Sequence, residues 1–257
     1  MKKYDDISVK VEDYVATIEI QRPPNNFFDF ILIGQIADAF EELDERDDCR
    51  SIVLCSQGKH FCAGANFGGE SILQEDIDPI SKLYEEAVRL FRNKKPVIAA
   101  IQGGAIGGGL GVSLAADFRV ACPESRFSAN FSRLGFHQGF GTSVTLPRVV
   151  GKQNAALILL TGRRFKGEEA FAMGLADYLV PLEELRNKSL ALAKEIASAG
   201  PLAVEAIRFT IRKGLADQVE KVIAWELTEQ KRLQSTYDFK EGIAASSERR
   251  EPLFKKE

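Results

Sequence analysis

The chain has 257 residues, a length that suits one large domain or a domain with an appendage. Hydrophobic residues make up 45% of it and charged residues 28%, a balance typical of a soluble globular protein. The net charge is −3 and no long run of lysine and arginine occurs, so we expect no nucleic-acid-binding surface.

The N-terminal residues lack the apolar stretch of a secretory signal, and no apolar run reaches membrane-spanning length. We therefore expect a cytoplasmic protein without a membrane partner. The cysteines show no metal-binding spacing and are interpreted as reduced thiols: Cys49, Cys55, Cys62 and Cys122. Only two histidines occur, so no histidine-based metal site is predicted.

The first half of the chain alternates predicted strands and helices. Apolar and polar residues alternate over 7–11 and 14–20, which predicts a β-hairpin. The elements predicted next are a helix over 29–44, a buried strand over 51–55, an amphipathic helix over 80–91 and a second buried strand over 96–101.

A glycine-rich stretch follows the second buried strand. Gly107, Gly108 and Gly109 precede apolar residues that predict a short buried helix ending near Asp117. Glycines leave the first N–H groups of a helix uncovered, and these groups have no partner within the helix. The pattern indicates a place to hold a developing negative oxygen, with tight packing as the alternative. The spacing excludes a dinucleotide fingerprint and a phosphate-binding P-loop.

A second run of small residues follows the strand at 51–55. Ala63, Gly64 and Ala65 precede Asn66, and small side chains let a ligand approach the main chain closely. A plain turn is the alternative interpretation. The acidic, glycine-rich residues 67–78 are predicted to form a mobile flap over a nearby site.

The second half begins with two short strands and ends in helices only. A loop over 130–141, rich in glycine and apolar residues, carries His137. The elements predicted in order are strands over 118–122 and 126–129, helices over 142–149 and 154–160, a strand–helix–strand unit over 161–181, a helix over 182–198, and two amphipathic helices beginning near 202 and 219. Repeated strand–strand–helix units with a helical tail are the architecture that we infer.

Two segments together resemble a known family. Residues 61–66 and 102–111 are similar to the two signature segments of the crotonase superfamily, which contains the enoyl-CoA hydratases and isomerases. The resemblance extends from about Ile7 to Phe254. It implies an α/β fold of stacked ββα turns over 1–199 and a C-terminal helical region over 200–257 that closes the pocket and supports trimerisation. It also implies homotrimers or homohexamers, and a coenzyme A thioester as substrate, with no separate cofactor.

The resemblance assigns roles to individual positions. The main-chain N–H groups of Ala65 and Gly108 would form an oxyanion hole for the thioester oxygen. The residues expected to contact substrate are Ala63, Gly64, Asn66, Gly107, Gly111, Asn130, Phe131 and Gln138.

Two positions depart from the family pattern. Typical hydratases carry glutamates where this chain has Gly111 and Phe131. Loss of one positioned acid–base group costs roughly 10²–10⁴ in rate, so ordinary hydration of a fatty acyl-CoA is not expected.

His137 is the first choice for the missing acid–base group, because histidine transfers protons near neutral pH. A histidine hydrogen-bonded to the loop backbone is the alternative. Glu70, Glu75 and Asp76 of the flap could also turn inward, although a solvated loop is the simpler interpretation. Cys62 is expected to be a small buried filler, and His60 a residue on the coenzyme A side or at the surface.

The leading hypothesis is an acyl-CoA enzyme that passes through a thioester enolate, acting as a lyase or isomerase on an atypical acyl group. Decarboxylation of a malonyl-type ester, hydrolysis, or non-catalytic binding of coenzyme A esters are the alternatives. Lys240, Arg249 and Lys255 are candidates for contact with the coenzyme A phosphates. RNA binding by this fold is not favoured, because no basic helix is present.

Overall fold

A computed structural model describes residues 2–65 and 78–257. Its strands are β1 Ile7–Glu12, β2 Val15–Ile20, β3 Ser51–Ser56, β4 Val97–Ile101, β5 Gly104–Ile106, β6 Phe118–Ala121, β7 Arg126–Ser128, β8 Phe165–Lys166 and β9 Tyr178–Leu179. Its helices are α1 Phe30–Asp44, α2 Pro79–Leu90, α3 Gly108–Ala115, α4 Thr142–Thr161, α5 Gly167–Ala172, α6 Leu185–Ala197, α7 Pro201–Arg212, α8 Leu215–Gln234 and α9 Tyr237–Glu248.

Two sheets organise the described strands. The larger has the order β1-β2-β3-β4-β6-β9, in which β1 and β2 form an antiparallel hairpin and the other neighbours run parallel. Every residue of β3 and β4 is buried, as continuous apolar runs predict for strands covered on both faces. The smaller sheet has the order β5-β7-β8.

The larger sheet is covered by helices on both faces. α1 contributes Ile33, Ile36 and Phe40 to the main apolar core on one face. α6 contributes Leu185 and Leu192 to a second, smaller apolar cluster on the other face. Burial of these side chains is the main force that holds the helices on the sheet.

Most predicted elements are confirmed, with three differences. α4 is longer than predicted and runs through both predicted helices, with a non-helical break at Gly151, where φ is +74°. β5 lies within the glycine-rich stretch, where the sequence shows no strand alternation. α9 forms in the charged C-terminal region, for which the sequence analysis predicted no individual helix.

A buried ion network attaches α7 to the sheet. Asp117, just before β6, accepts hydrogen bonds from Arg208 Nε at 2.8 Å and from Arg212 Nη1 at 3.0 Å. The same carboxylate accepts the N–H of Val97 at 2.8 Å. Arg208 also donates to the side chain of Asn93 at 3.0 Å. α7 is therefore held by charged groups rather than by an apolar face.

The outer surface of α7 is apolar. Arg208 is the residue of this helix that is buried, whereas Leu202 and Phe209 are 82% and 70% exposed. The sequence predicted that the apolar residues of α7 form one helix face, and that face points to solvent. Within residues 2–65 and 78–257, no helix is long and apolar enough to cross a membrane.

His60 fixes the start of β5. Its Nδ1 accepts the N–H of Gly104 at 2.9 Å, and its side chain is half-buried in the loop that follows β3. Burial, followed by the positive charges of Lys59 and Arg164, holds the pKa of His60 below its ordinary value. The imidazole is therefore held neutral, because a protonated Nδ1 cannot accept this hydrogen bond.

We expect Asp117→Asn to lower the free energy of unfolding by about 3–5 kcal/mol, because it leaves buried guanidinium charges without their partner. Urea unfolding followed by circular dichroism measures the change. Asp217→Asn is the matched control: Asp217 is 76% exposed and lies 3.5 Å from Arg92. Such a surface pair contributes about 0–1 kcal/mol. Equal effects of the two substitutions would contradict the anchoring role of Asp117.

We expect His60 to make stability depend on pH. Because its folded-state pKa lies below the ordinary value, the stabilisation is present above about pH 6.5 and is lost as the pH falls below it. Unfolding free energies at about pH 7.5 and about pH 5.5 measure the slope. His60→Asn keeps an acceptor but does not titrate, so its slope should be smaller. An unchanged slope in this variant would remove His60 as the cause.

Candidate active site

The described residues enclose an apolar cavity of about 440 Å³ next to the N-terminus of α3. It lies between the loop after β3, the helices α2, α8 and α9, and the loop after β7. Its walls are formed by Phe27, Phe28, Ala63, Gly64, Ala65, Ile80, Leu83, Tyr84, Ile106, Gly107, Gly108, Asn130, Phe131, Leu134, Phe136, Gly139, Phe140, Gln230, Ile243, Ser246 and Ser247.

Backbone pairing positions the loop that carries Ala65. The N–H of Cys62 donates to the carbonyl of Gly104 at 2.9 Å, and the N–H of Ile106 donates back to Cys62 at 3.0 Å. On the other side, the N–H of Phe28 donates to the carbonyl of Gly64 at 3.0 Å. The loop is thus held like a short strand between Phe28 and β5, and Ala65 reaches the cavity wall.

Gly107 turns the chain from β5 into α3. It has φ +57° and ψ −121°, a conformation that favours glycine, and its N–H donates to the carbonyl of Ser128 at 2.7 Å. Gly108 is the first residue of the helix. Among the residues that the structure describes, none accepts a hydrogen bond from the N–H of Ala65 or Gly108. Two unpaired main-chain donors therefore lie on the walls of one cavity.

Close packing also demands glycine at the start of α3. A Cβ at Gly108 would lie 2.3 Å from the ring of Phe28, and one at Gly109 would lie 2.2 Å from the carbonyl oxygen of Cys62. The tight-packing interpretation of these glycines is therefore confirmed by the structure. Tight packing and free N–H groups are compatible at this position, because the lack of side chains permits both.

Phe140 occupies the space beside Gly111. A Cβ at Gly111 would lie 2.6 Å from Cβ of Phe140, and Gly111 does not line the cavity. The expected substrate contact at Gly111 stays a prediction, because Gly111 lies behind the cavity wall formed by Phe140. Phe131 and Asn130 do line the cavity, and both lie close to the space where a side chain on Gly107 would be.

The structure does not bring His137 and Gln138 to the cavity. The Nδ1 atom of His137 lies 2.8 Å from the carbonyl oxygen of Gln138, and the Gln138 amide donates to Ser143 Oγ at 3.1 Å. His137 therefore contacts the backbone of its own loop, as its alternative interpretation predicts, and Gln138 binds the start of α4. Proton transfer by His137 stays a prediction, and its side chain does not line this cavity.

Tyr84 and Gln230 reach the cavity instead, and the sequence analysis named neither. The Tyr84 hydroxyl donates to Gln230 Oε1 at 2.6 Å, and Gln230 Nε2 donates to the carbonyl of His137 at 3.0 Å. Burial, followed by the negative charge of Glu226, raises the pKa of Tyr84. Tyr84 occupies a core-facing position of an amphipathic helix, where an aromatic residue is ordinary, and Gln230 lies on a polar helix 146 residues away.

Glu226 is a buried carboxylate behind this wall. It accepts the N–H of Gly141 at 2.8 Å, the N–H of Ser143 at 3.0 Å and the Ser143 hydroxyl at 2.6 Å. Burial raises its pKa, against the effect of these hydrogen bonds. The carboxylate thus caps the N-terminus of α4 from α8 and does not line the cavity.

Cys62 does not line the cavity. Cys62 is buried, and burial raises the pKa of its thiol to about 12, so it stays protonated as a core filler. Asn66, Glu70, Glu75 and Asp76 lie outside the described residues, as does the predicted flap up to residue 77. Within the described part of the chain, no three carboxylate, thiol or imidazole groups could hold a metal ion.

Known proteins resemble this chain over most of its length. A family model described as enoyl-CoA hydratase/isomerase matches residues 10–257. A putative enoyl-CoA hydratase/isomerase of Bacillus subtilis (strain 168) is 32% identical over 247 residues, which cover 95% of each chain.

Solved structures show the same fold. An enoyl-CoA hydratase/isomerase from Pseudoalteromonas atlantica T6c superposes with a TM-score of 0.87 at 27% identity, covering 98% of this chain and all of the other. A carnitinyl-CoA hydratase from Mycobacterium avium gives 0.87 at 27% identity, covering 99% of this chain and all of the other. The predicted α/β fold with a C-terminal helical region is confirmed. The chain therefore belongs to the enoyl-CoA hydratase/isomerase family of acyl-CoA enzymes.

Proposed function

We propose that this family member is a lyase or isomerase that forms the enolate of an acyl-CoA thioester. The main-chain N–H groups of Ala65 and Gly108 would hold the enolate oxygen. The observation that carries the proposal is the pair of unpaired N–H groups on one cavity wall. Each preorganised donor of this kind typically contributes about 2.7–4 kcal/mol of transition-state stabilisation.

The rest of the cavity supports an acyl chain as the bound group. Its aromatic walls include Phe28, Phe131 and Phe140, and the rings of Phe28 and Phe140 pack edge to face with centroids 5.7 Å apart. Burial of apolar surface against such walls favours binding of a hydrocarbon chain. Water exclusion also strengthens hydrogen bonds to the enolate oxygen.

Decarboxylation of a malonyl-type coenzyme A ester is the second candidate. By family resemblance, Gly111 and Phe131 occupy the positions where typical hydratases carry glutamates. Among the described residues of the cavity wall, Tyr84 is the one with a titratable side chain. Loss of carbon dioxide generates the same enolate without removal of a proton by a base. The two candidates share the oxyanion hole and differ in what leaves the α-carbon.

We also propose a division of labour within the chain. Residues 1–199 would supply the oxyanion hole, and residues 200–257 would close the pocket and form subunit contacts. Gln230 on α8 and Ile243 on α9 lie on the cavity wall, which supports pocket closure by residues 200–257. The exposed apolar surface of α7 supports the proposed subunit contacts, because a surface of this kind is buried when copies of the chain associate.

Turnover of a panel of coenzyme A esters, followed by mass spectrometry, tests the reaction. The panel holds enoyl, 3-hydroxyacyl, malonyl-type and cyclic 3-oxoacyl esters. We expect one class to be converted, and we expect His137→Ala to cost far less than the roughly 10²-fold that loss of a positioned acid–base group causes. Conversion of no ester, with binding intact, would contradict catalysis. A loss of about 10² in the variant would return His137 to the mechanism.

The oligomer is tested by light scattering after size-exclusion chromatography. We expect the wild-type chain of 28.4 kDa to form trimers or pairs of trimers. Replacing both Leu202 and Phe209 by Glu should produce monomers, because charged side chains cannot be buried without partners. Phe171→Glu, on the exposed surface of α5, is the control and should leave the mass unchanged. A monomeric wild type would contradict the proposal.

A further inference from the structure

Tyr84 and Gln230 form a polar pair on the wall of an otherwise apolar cavity. Their side chains come from α2 and α8, and both residues are largely buried, at 7% and 2% exposed. The bond between the Tyr84 hydroxyl and Gln230 Oε1 is short, at 2.6 Å. A polar pair in such a place is either a structural tie between helices or a recognition element for a bound group.

The orientation of the Gln230 amide follows from its partners. The carbonyl of His137 can only accept a hydrogen bond, so the amide nitrogen must face it, at 3.0 Å. The oxygen of the amide then faces Tyr84, and the Tyr84 hydroxyl must be the donor. The positions of the donors and acceptors are thereby determined.

Counting these bonds leaves two groups unused. A tyrosine oxygen has two lone pairs, and the Tyr84 hydroxyl is the donor in its bond to Gln230, so its capacity to accept a hydrogen bond remains. A glutamine amide has two N–H donors, and one is used by His137, so one remains. Among the described residues no other partner binds either group. An acceptor on Tyr84 and a donor on Gln230 therefore lie side by side, on two residues of the cavity wall.

A hydroxyl group matches this arrangement because it both donates and accepts a hydrogen bond. A carbonyl can only accept, and an ammonium group can only donate, so each would leave one member of the pair unpaired. An unpaired buried polar group costs free energy, which favours the matching ligand over the others.

We propose that Tyr84 and Gln230 form a subsite that binds a hydroxyl group carried on the acyl chain. The proposal rests on the proposed function, because it places an acyl thioester in the cavity with its oxygen at Ala65 and Gly108. Tyr84 and Gln230 act as specificity-determining residues. They hold the chain at its hydroxyl, while the main-chain donors hold it at the thioester.

Binding of three matched esters tests this subsite. Dissociation constants are measured by calorimetry for butyryl-CoA, 3-hydroxybutyryl-CoA and 4-hydroxybutyryl-CoA. We expect one hydroxylated ester to bind about tenfold more tightly than butyryl-CoA, since two additional hydrogen bonds form. In Tyr84→Phe and in Gln230→Met, we expect that preference to fall to about threefold or less, because one bond of the two is lost.

The ratio of two constants measured on one variant does not depend on the folded fraction of that variant. A partial loss of stability therefore leaves the test intact, and either variant alone suffices. Tyr237→Phe and Gln234→Met remove the same atoms outside the cavity and should retain the wild-type preference.

Two results would overturn the subsite. The first is a wild-type protein that binds all three esters equally, as would happen if the pair held only water. The second is a preference that survives in both cavity variants. Failure of every ester to bind would instead overturn the proposed function, and the two failures are thus distinguishable.

Discussion

The backbone pairing of residues 61–65 is the constraint on which the cavity depends. This segment is hydrogen-bonded to Phe28 on one side and to β5 on the other, so it cannot move without breaking both contacts. Gly108 is fixed by the same arrangement, because the ring of Phe28 fills the space above its Cα. Two N–H groups from distant parts of the chain are thereby held rigid, which is what preorganised stabilisation of charge requires.

Elements with a strong local signal could be predicted from the sequence. Examples are the apolar runs of β3 and β4 and the glycines at the start of α3. Family resemblance then added the roles of Ala65 and Gly108, which no periodicity reveals. The short strand β5 escaped prediction because its pairing partners, Cys62 and β7, are supplied by tertiary structure.

The polar side chains of the cavity were the least predictable part. His137 is chemically suited to proton transfer, but a sequence does not tell in which direction a loop residue points. Tyr84 and Gln230 carry no motif, and their meeting depends on the packing of α2 against α8. Glu226, on the same helix as Gln230, ties α8 to the start of α4. Contacts between elements far apart in sequence decided these positions.

The cavity wall has two parts that differ in how far amino-acid substitutions alter them. The groups next to the proposed thioester position are main-chain atoms, which are the same whatever side chain a residue carries. The groups along the rest of the cavity are side chains of α2, α8 and α9, far from β5 and the start of α3 in the sequence. Substitutions in these helices can therefore change which acyl chains are accepted while the donors stay in place. Chains that share one catalytic apparatus can diverge in substrate along this route.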